Sequence, residues 1–171
     1  MSSKKYNLLL PIAGKAQRFI DQGYNMPKPL IMAKTKQVID WALDSIDTSH
    51  CNLIFAVRAD HINYFSIDEI LKKKFGDSVQ IVVVDHNTDG SVSTCLLAKE
   101  YIDNDIPLII YTPDVYFQST FDPTTIDPNL DGFLLTFKAN SPAHSYVATD
   151  NNGLATRTAE KQVISSDAAV G

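Results

Sequence analysis

Short apolar runs that alternate with helical stretches constrain the fold of this chain more than any other feature. Four such runs, rich in Val, Ile and Leu, occupy residues 7–12, 53–57, 79–84 and 107–111. Runs of this length without polar alternation are typical of strands that are covered on both faces. Because strands that alternate with helices form parallel sheets, the sequence predicts an α/β fold with a mainly parallel, Rossmann-like sheet.

The stretches between these runs carry helical periodicity. Residues 38–46 place Val, Ile, Ala and Leu along one side of a helix and acidic residues along the other. Residues 67–74 predict a shorter helix that ends at Gly76, since glycine is the usual residue just past a helix end. Residues 91–102 predict a further helix that leads into the fourth strand.

The pattern changes after Asp114. Residues 133–137 and 145–149 have the composition of strands, with no helix between them, and residues 150–153 (Asp-Asn-Asn-Gly) indicate a turn. We therefore expect a small antiparallel addition to the parallel sheet. Residues 163–171 resemble the approach to another strand, so we expect a single domain over 1–171 that is truncated at its C-terminal end.

Composition excludes several classes of protein. A net charge of −5 argues against a broad basic surface for nucleic acid, because phosphate neutralisation needs clustered Lys and Arg. No stretch approaches the ~20 apolar residues of a membrane span, and we predict a cytoplasmic protein without membrane partners. Cys51 and Cys95 fit reduced, buried thiols better than a disulfide framework, and the four histidines lack zinc-ligand spacing.

The loop after the first apolar run combines small residues with cations. In chain order it supplies Ala13, Gly14, Lys15, Ala16 and Arg18, and Lys28 follows further on. Small residues let backbone N–H groups approach a phosphate, and the carboxyl end of a strand is where open α/β sheets bind ligands. The loop matches neither the dinucleotide fingerprint nor a P-loop. A tight turn with solvated cations explains the loop equally well on these grounds alone.

Motifs in this region resemble those of a known family. Residues 11–19 (Pro-Ile-Ala-Gly-Lys-Ala-Gln-Arg-Phe), followed by Gly23-Tyr24 and by Pro-Lys-Pro-Leu at 27–30, resemble the signature of the sugar-phosphate nucleotidylyltransferases. Residues 88–91 (Thr-Asp-Gly-Ser) are similar to the family's base-binding loop, and residues 111–114 (Tyr-Thr-Pro-Asp) to the segment of its metal-binding aspartate. Glu160-Lys161 resembles a Glu-Lys pair of the family.

The resemblance covers nearly the whole chain, as the amino-terminal part of the family's catalytic domain. It implies a sheet like that of the nucleotide-diphospho-sugar transferases. It also implies that Ala13, Gly14 and Lys15 hold a nucleoside triphosphate, while Thr88 and Gly90 contact its base. Ala16 stands where the family usually has a second glycine, and we expect its φ to stay negative.

Further roles follow from the same resemblance. Arg18 and Lys28 are the implied catalytic residues: Arg18 balances charge on the departing pyrophosphate, and Lys28 holds the α-phosphate and the acceptor's phosphate together. Asp114 is the implied Mg²⁺ ligand, and Lys161 the residue that contacts the acceptor's phosphate. The partners implied are an NTP and a phosphorylated small molecule, with a sugar 1-phosphate preferred, in nucleotide-sugar and polysaccharide biosynthesis.

Three alternatives stay open on the sequence. The first is a cytidylyltransferase that acts on a phosphorylated alcohol such as phosphocholine, which shares the amino-terminal pattern. The second is a truncated, inactive module that binds nucleotide or a partner subunit, because no second metal-binding aspartate is evident. The third is a glycosyltransferase, which ranks below the others because residues 114–116 (Asp-Val-Tyr) lack the second carboxylate of an Asp-x-Asp motif.

Overall fold

The computed structural model describes residues 5–127 and 129–170. The chain forms two compact units, Met1–Tyr116 and Phe117–Gly171, which we describe separately. In chain order the first unit contains β1 (Tyr6–Pro11), α1 (Gln17–Ile20), a 3₁₀ helix (Lys28–Leu30), β2 (Met32–Ala33), β3 (Lys36–Gln37), α2 (Val38–Leu43), β4 (Cys51–Arg58), α3 (Ala59–Phe65), α4 (Ile67–Phe75), β5 (Gln80–Val84), α5 (Ser91–Leu96), α6 (Lys99–Ile102) and β6 (Leu108–Ile110).

The main sheet of the first unit has the strand order β5-β4-β1-β6, and every neighbouring pair is parallel. In this register Leu9 lies between Ile54 of β4 and Ile110 of β6. The predicted parallel α/β architecture is therefore confirmed. Strands β2 and β3 form a separate two-stranded antiparallel ribbon.

Burial follows the position of each strand in this sheet. Leu8, Leu9 and Leu10 of the central strand β1 are fully buried, as expected for a strand covered on both faces. The outer strands differ from the prediction. Val83 of β5 and Ile110 of β6 are about half exposed, because an edge strand has a neighbour on one side only and its second face is less completely covered.

Of the three predicted helices, α4 keeps its predicted position and α2 covers residues 38–43 of the predicted 38–46, whereas α1 and α3 were not predicted. Helix α4 ends as predicted at Gly76, whose φ is +96° and whose N–H donates to the carbonyl of Lys72 at 2.8 Å. The predicted helix at 91–102 is instead two short helices, α5 and α6, that meet near Ala98. There the backbone has φ −85° and ψ +10°, and the Ala98 N–H bonds to the Cys95 carbonyl three residues earlier, which breaks the α-helical pattern.

The second unit is an antiparallel sheet. It contains a 3₁₀ helix (Pro123–Thr125) and the strands β7 (Thr136–Lys138), β8 (Ser145–Thr149), β9 (Ala155–Glu160) and β10 (Asp167–Ala169). Their order is β7-β10-β8-β9, and all the pairs are antiparallel. The predicted antiparallel addition is thus confirmed. The segment 163–171, predicted as the approach to another strand, itself contains β10, and Gly171 lies outside the described residues.

Two local predictions for the second unit can be compared with the structure. The turn at 150–153 forms, with the N–H of Gly153 donating to the carbonyl of Asp150 at 3.1 Å and with φ +82° at the glycine. The strand predicted at 133–137 begins only at Thr136, and Phe133 is half exposed. No helix in the described part of the chain combines the length and apolar character that crossing a membrane requires.

Candidate functional site

A cleft of about 530 Å³ lies in the first unit, where the parallel strands β1, β4 and β5 end. This is the edge of an open α/β sheet at which ligands bind. Five of the lining residues are those that the motifs assign to nucleotide binding, although they come from segments more than 70 residues apart in the chain. They are Ala13, Gly14, Lys15, Thr88 and Gly90.

The loop after β1 forms one wall of this cleft. The N–H of Ile12 donates to the carbonyl of Ala56 at 2.9 Å, which ties the start of the loop to β4. At Gly14 no heavy atom other than those of the glycine and its two chain neighbours lies within 4 Å of the place that a Cβ would occupy. Open space next to a main chain without a side chain is what a phosphate would need to approach the backbone.

Ala16 corrects an expectation drawn from the sequence. Its φ is +52° and its ψ +38°, in the left-handed region, whereas we expected a negative φ. The conformation lets the carbonyl of Ala16 accept from the N–H of Phe19 at 2.8 Å, so that α1 starts immediately after a sharp turn. The loop therefore takes a backbone shape that suits glycine, and an L-residue tolerates it at a cost of about 1–2 kcal/mol.

The opposite wall is the loop that precedes α5. The hydroxyls of Thr88 and Thr94 lie 2.6 Å apart, and that of Thr94 donates to the carbonyl of Gly90 at 3.1 Å. Gly90 has φ +144°, which glycine adopts readily. Thr94 is buried, lines the cleft and was not predicted from the sequence. These contacts close the loop on itself and fix the positions of the two candidate base-binding residues.

Sequence reasoning missed three further polar residues of the cleft. Arg58 ends β4, and His86 and Asn87 follow β5. Arg58 is held by Asp60, which accepts from its Nε at 2.9 Å and from its Nη2 at 2.8 Å, and these bonds keep the pKa of Asp60 below its ordinary value. Their positions in the sequence could have identified these three residues. Each one closely follows an apolar run, and ligand-binding groups collect at the carboxyl ends of parallel strands.

Two of the predicted catalytic and metal-binding residues meet in the structure. The Nζ of Lys28 lies 2.9 Å from Oδ2 of Asp114, although 86 positions separate them in the chain. Asp114 follows β6, the strand that pairs with β1. The ammonium of Lys28 also lies 5.5 Å from the ring centroid of Phe19. The Pro-Lys-Pro-Leu motif and the Tyr-Thr-Pro-Asp motif thus converge beside the end of β1.

The carboxylates offer little for a metal without help from a ligand. Within residues 5–127 and 129–170, no group of three His, Cys, Asp or Glu side chains has an arrangement that could hold a metal ion. Asp114 is about half exposed and supplies one carboxylate. One carboxylate fits Mg²⁺ that takes its remaining oxygens from phosphates and water, a common arrangement for this ion, but does not fit an all-protein cage.

The two remaining predicted residues, Arg18 and Lys161, are described each within its own unit. Arg18 is exposed on α1 and has no ion-pair partner among the described residues. Lys161, in the second unit, directly follows β9 with φ +53°, and its N–H donates to the carbonyl of His144 at 3.0 Å. Its Nζ lies 3.2 Å from Oε1 of Glu160, and both side chains are mostly exposed. The Glu-Lys motif is therefore a surface ion pair in this structure.

Comparisons with known proteins agree with this architecture. No protein-family model and no curated protein matches the chain. A nucleoside-diphosphate-sugar pyrophosphorylase from Vibrio cholerae RC9 is similar over 95% of this chain and 70% of its own, with a TM-score of 0.74 and 19% identity. A UDP-glucose pyrophosphorylase solved with UDP-glucose is similar over 97% and 74% respectively, with a TM-score of 0.71 and 16% identity.

A third solved structure, UDP-glucose pyrophosphorylase from Acinetobacter baumannii, is similar over 97% of this chain and 72% of its own, with a TM-score of 0.68 and 15% identity. At these identities the likeness concerns the fold, and the fold alone does not specify an activity. The likeness covers nearly the whole described chain, as the motifs predicted. The chain has the fold of the sugar-phosphate nucleotidylyltransferases.

Proposed function

We propose that this chain is a nucleotidylyltransferase that transfers NMP from an NTP to a phosphorylated acceptor, a sugar 1-phosphate, and releases pyrophosphate. The observation that carries the proposal is a cleft lined by Ala13, Gly14 and Lys15 on one side and by Thr88 and Gly90 on the other. Two motifs far apart in sequence face each other across a space of the size that ligand sites commonly have.

The charges near the loop suit two anionic substrates. Lys15 and Arg18 are exposed and project from the segment that follows β1, and Lys28 lies beside the same strand end through its pair with Asp114. Bringing a triphosphate and an acceptor phosphate together is unfavourable unless cations lie between them. In a protein of net charge −5, such locally placed cations supply the attraction that the whole surface lacks.

The chemistry expected of this arrangement is in-line displacement at the α-phosphorus. The acceptor's phosphate oxygen attacks, the bond to the β-phosphate oxygen breaks, and pyrophosphate leaves. Catalysis then consists mainly of positioning and charge neutralisation, without a covalent enzyme intermediate. In this proposal Lys28 draws the two phosphates together, Arg18 neutralises the leaving group and Lys161 contacts the acceptor. Mg²⁺, held by Asp114 and by phosphate oxygens, would offset charge on the triphosphate.

The direct test measures pyrophosphate release with each common NTP against a panel of sugar 1-phosphates and phosphocholine. We expect release with one NTP and a sugar 1-phosphate, and a loss of at least about 100-fold in turnover for Lys28→Ala, as for other groups that stabilise transition-state charge. Lys73→Ala, which removes an exposed lysine of α4, is the matched control and should keep normal activity.

The panel also separates the alternatives. Release with CTP and phosphocholine alone would assign the chain to the cytidylyltransferases of phosphorylated alcohols. Binding of an NTP without release for any acceptor would make it a nucleotide-binding module. A Lys28→Ala variant as active as the unmodified protein would falsify the proposed mechanism.

A further inference from the structure

Arg58 lies on the floor of the cleft. In the sheet order β5-β4-β1-β6, strand β4 stands between the two strands whose loops form the walls. Arg58 is the last residue of β4, it pairs with Val84 at the end of β5, and it lines the cleft. A ligand that reaches from the loop after β1 to the loop after β5 therefore passes over Arg58.

The charged side chains around the cleft share one sign. Among the described residues that line it, Lys15 and Arg58 carry a formal charge, and no aspartate or glutamate is present. In a protein of net charge −5, a cleft lined by cations without carboxylates favours an anionic occupant. Lys15 belongs to the wall that follows β1, and Arg58 to the floor. The two cations thus approach an anion from different directions.

Asp60 holds the guanidinium of Arg58 from one side. Its carboxylate accepts from Nε at 2.9 Å and from Nη2 at 2.8 Å, and such a forked pair fixes the plane of the guanidinium. Asp60 belongs to α3 and is not among the described residues that line the cleft. Its side chain is 45% exposed and that of Arg58 is 16% exposed, so that water screens the carboxylate more than the guanidinium. Asp60 therefore orients Arg58 without cancelling its attraction for an anion.

The guanidinium of Arg58 keeps donors for a ligand. Each of its terminal nitrogens carries two N–H groups. Nη2 gives one of them to Asp60, and Nη1 gives one to Oδ1 of Asn87 at 3.3 Å. One N–H on each terminal nitrogen then has no acceptor among the described residues. Two charged donors on one fixed plane suit the oxygens of a phosphate better than a single neutral acceptor.

We propose that Arg58 binds the β- and γ-phosphates of the triphosphate, the part that leaves as pyrophosphate, with Asp60 as its positioning residue. The inference rests on the proposed function, which assigns Lys28 to the α-phosphate and the acceptor's phosphate. Lys28 pairs with Asp114, which follows β6 on one side of β1, whereas Arg58 ends β4 on the other side. Because these cations stand on opposite sides of β1, they meet different phosphates of the same chain.

The test measures affinities by calorimetry on the full chain with Mg²⁺ present. One arm compares the tightest-binding of UTP, dTTP, CTP, GTP and ATP with the monophosphate of the same base. The readout is the ratio of these two dissociation constants, in which contacts to the base cancel. The other arm titrates inorganic pyrophosphate alone. In the unmodified protein we expect the triphosphate to bind at least about tenfold more tightly than the monophosphate.

Three variants isolate the contribution of Arg58. Arg58→Gln removes the charge and should lower both this ratio and the affinity for pyrophosphate about tenfold, the lower end of what a hydrogen bond to a charged group provides. Arg58→Lys keeps the charge without the fork, and its ratio should lie between those of Arg58→Gln and the unmodified protein. Arg157→Gln, at an exposed position of β9, changes the net charge equally and should leave the ratio unchanged. Urea unfolding establishes that each variant is folded.

The two arms distinguish a failure of this inference from a failure of the proposed function. If Arg58→Gln is folded and changes neither the ratio nor the affinity for pyrophosphate, Arg58 only joins β4 to α3 and the inference alone is wrong. If pyrophosphate binds through Arg58 but no pair of NTP and acceptor releases it, the proposed function fails and the phosphate site stands. If neither triphosphates nor pyrophosphate bind, both fail. Losses of about tenfold in Arg58→Gln and none in Arg157→Gln support the assignment.

Discussion

Ala16 offers a direct test of how the loop after β1 is built. The residue has φ +52° and ψ +38°, a conformation that costs an L-residue about 1–2 kcal/mol and glycine almost nothing. Replacing it with glycine relieves this strain. The glycine also makes the unfolded chain more flexible, which offsets about 0.4–1 kcal/mol of the gain. Loss of the half-buried methyl group of Ala16 also lowers the free energy of unfolding, by a fraction of the ~0.8 kcal/mol that a fully buried group contributes.

We therefore expect Ala16→Gly to raise the free energy of unfolding by about 0.5 kcal/mol, the balance of these contributions. The matched control is Ala59→Gly, at the start of α3, where no left-handed conformation is needed. There glycine should lower the free energy of unfolding by roughly 0.5–1 kcal/mol. The same substitution is thus expected to act in opposite directions at the two positions.

Urea unfolding followed by far-UV circular dichroism measures both variants, with the midpoint and slope giving each free energy. The quantity of interest is the difference between the two variants, about 1–1.5 kcal/mol, since it cancels the effect of glycine on the unfolded chain. If Ala16→Gly destabilises the protein as much as Ala59→Gly does, the left-handed conformation of Ala16 carries no strain and the reasoning is wrong.

Two further predictions concern polar groups of the first unit. Asn7 is buried and donates to Oδ1 of Asn104 at 3.1 Å while it accepts from Nδ2 of Asn52 at 2.9 Å. We expect Asn7→Ala to lower the free energy of unfolding by about 1–2 kcal/mol, since it removes the hydrogen bonds of a buried amide whose partners, half-buried Asn52 and exposed Asn104, can turn to water, and a loss under ~0.5 kcal/mol in urea unfolding would contradict this. Hydrogen bonds from Arg58 lower the pKa of Asp60 in the folded protein. The Asp60 carboxylate therefore stabilises the fold above its ordinary pKa, and this contribution is lost as the pH falls through the lowered pKa. Between about pH 5 and pH 3 the melting temperature should fall less steeply in Asp60→Asn than in the unmodified protein, and identical slopes would exclude the effect.

The sequence predicted the elements whose signal is local. The run at 7–12 became the central strand β1, and 145–149 became β8 with the predicted bounds. In both cases side-chain composition and length are enough to indicate a strand. The break in the helix at 91–102 was not predictable, because Ala98 is a good helix former and only its place among buried neighbours sets its backbone.

The assembly of the site required the fold as well as the motifs. Motifs predicted that Lys28 and Asp114 act together, but their contact depends on the pairing of β6 with β1, and periodicity does not determine the order of strands. The contact of Arg58 with Asn87 depends in the same way on the pairing of β4 with β5. The prediction of a negative φ at Ala16 was wrong because it rested on the residue type, alanine in place of glycine. The backbone angle is set instead by the path that the loop takes between β1 and α1.

The pairing of Lys28 with Asp114 agrees with an anion site that contains a carboxylate. An unpaired aspartate beside the end of β1 would repel a triphosphate, and in the structure Lys28 neutralises that charge at 2.9 Å. The side chains are 30% and 48% exposed, and pairs of this kind contribute about 0–1 kcal/mol, so that opening this one reduces affinity for a ligand about fivefold at most. Under the proposed function, Lys28 turns from Asp114 to a phosphate. The carboxylate of Asp114 then repels the triphosphate unless another cation neutralises it. The proposed function therefore predicts that a triphosphate binds more tightly with a divalent cation than without one.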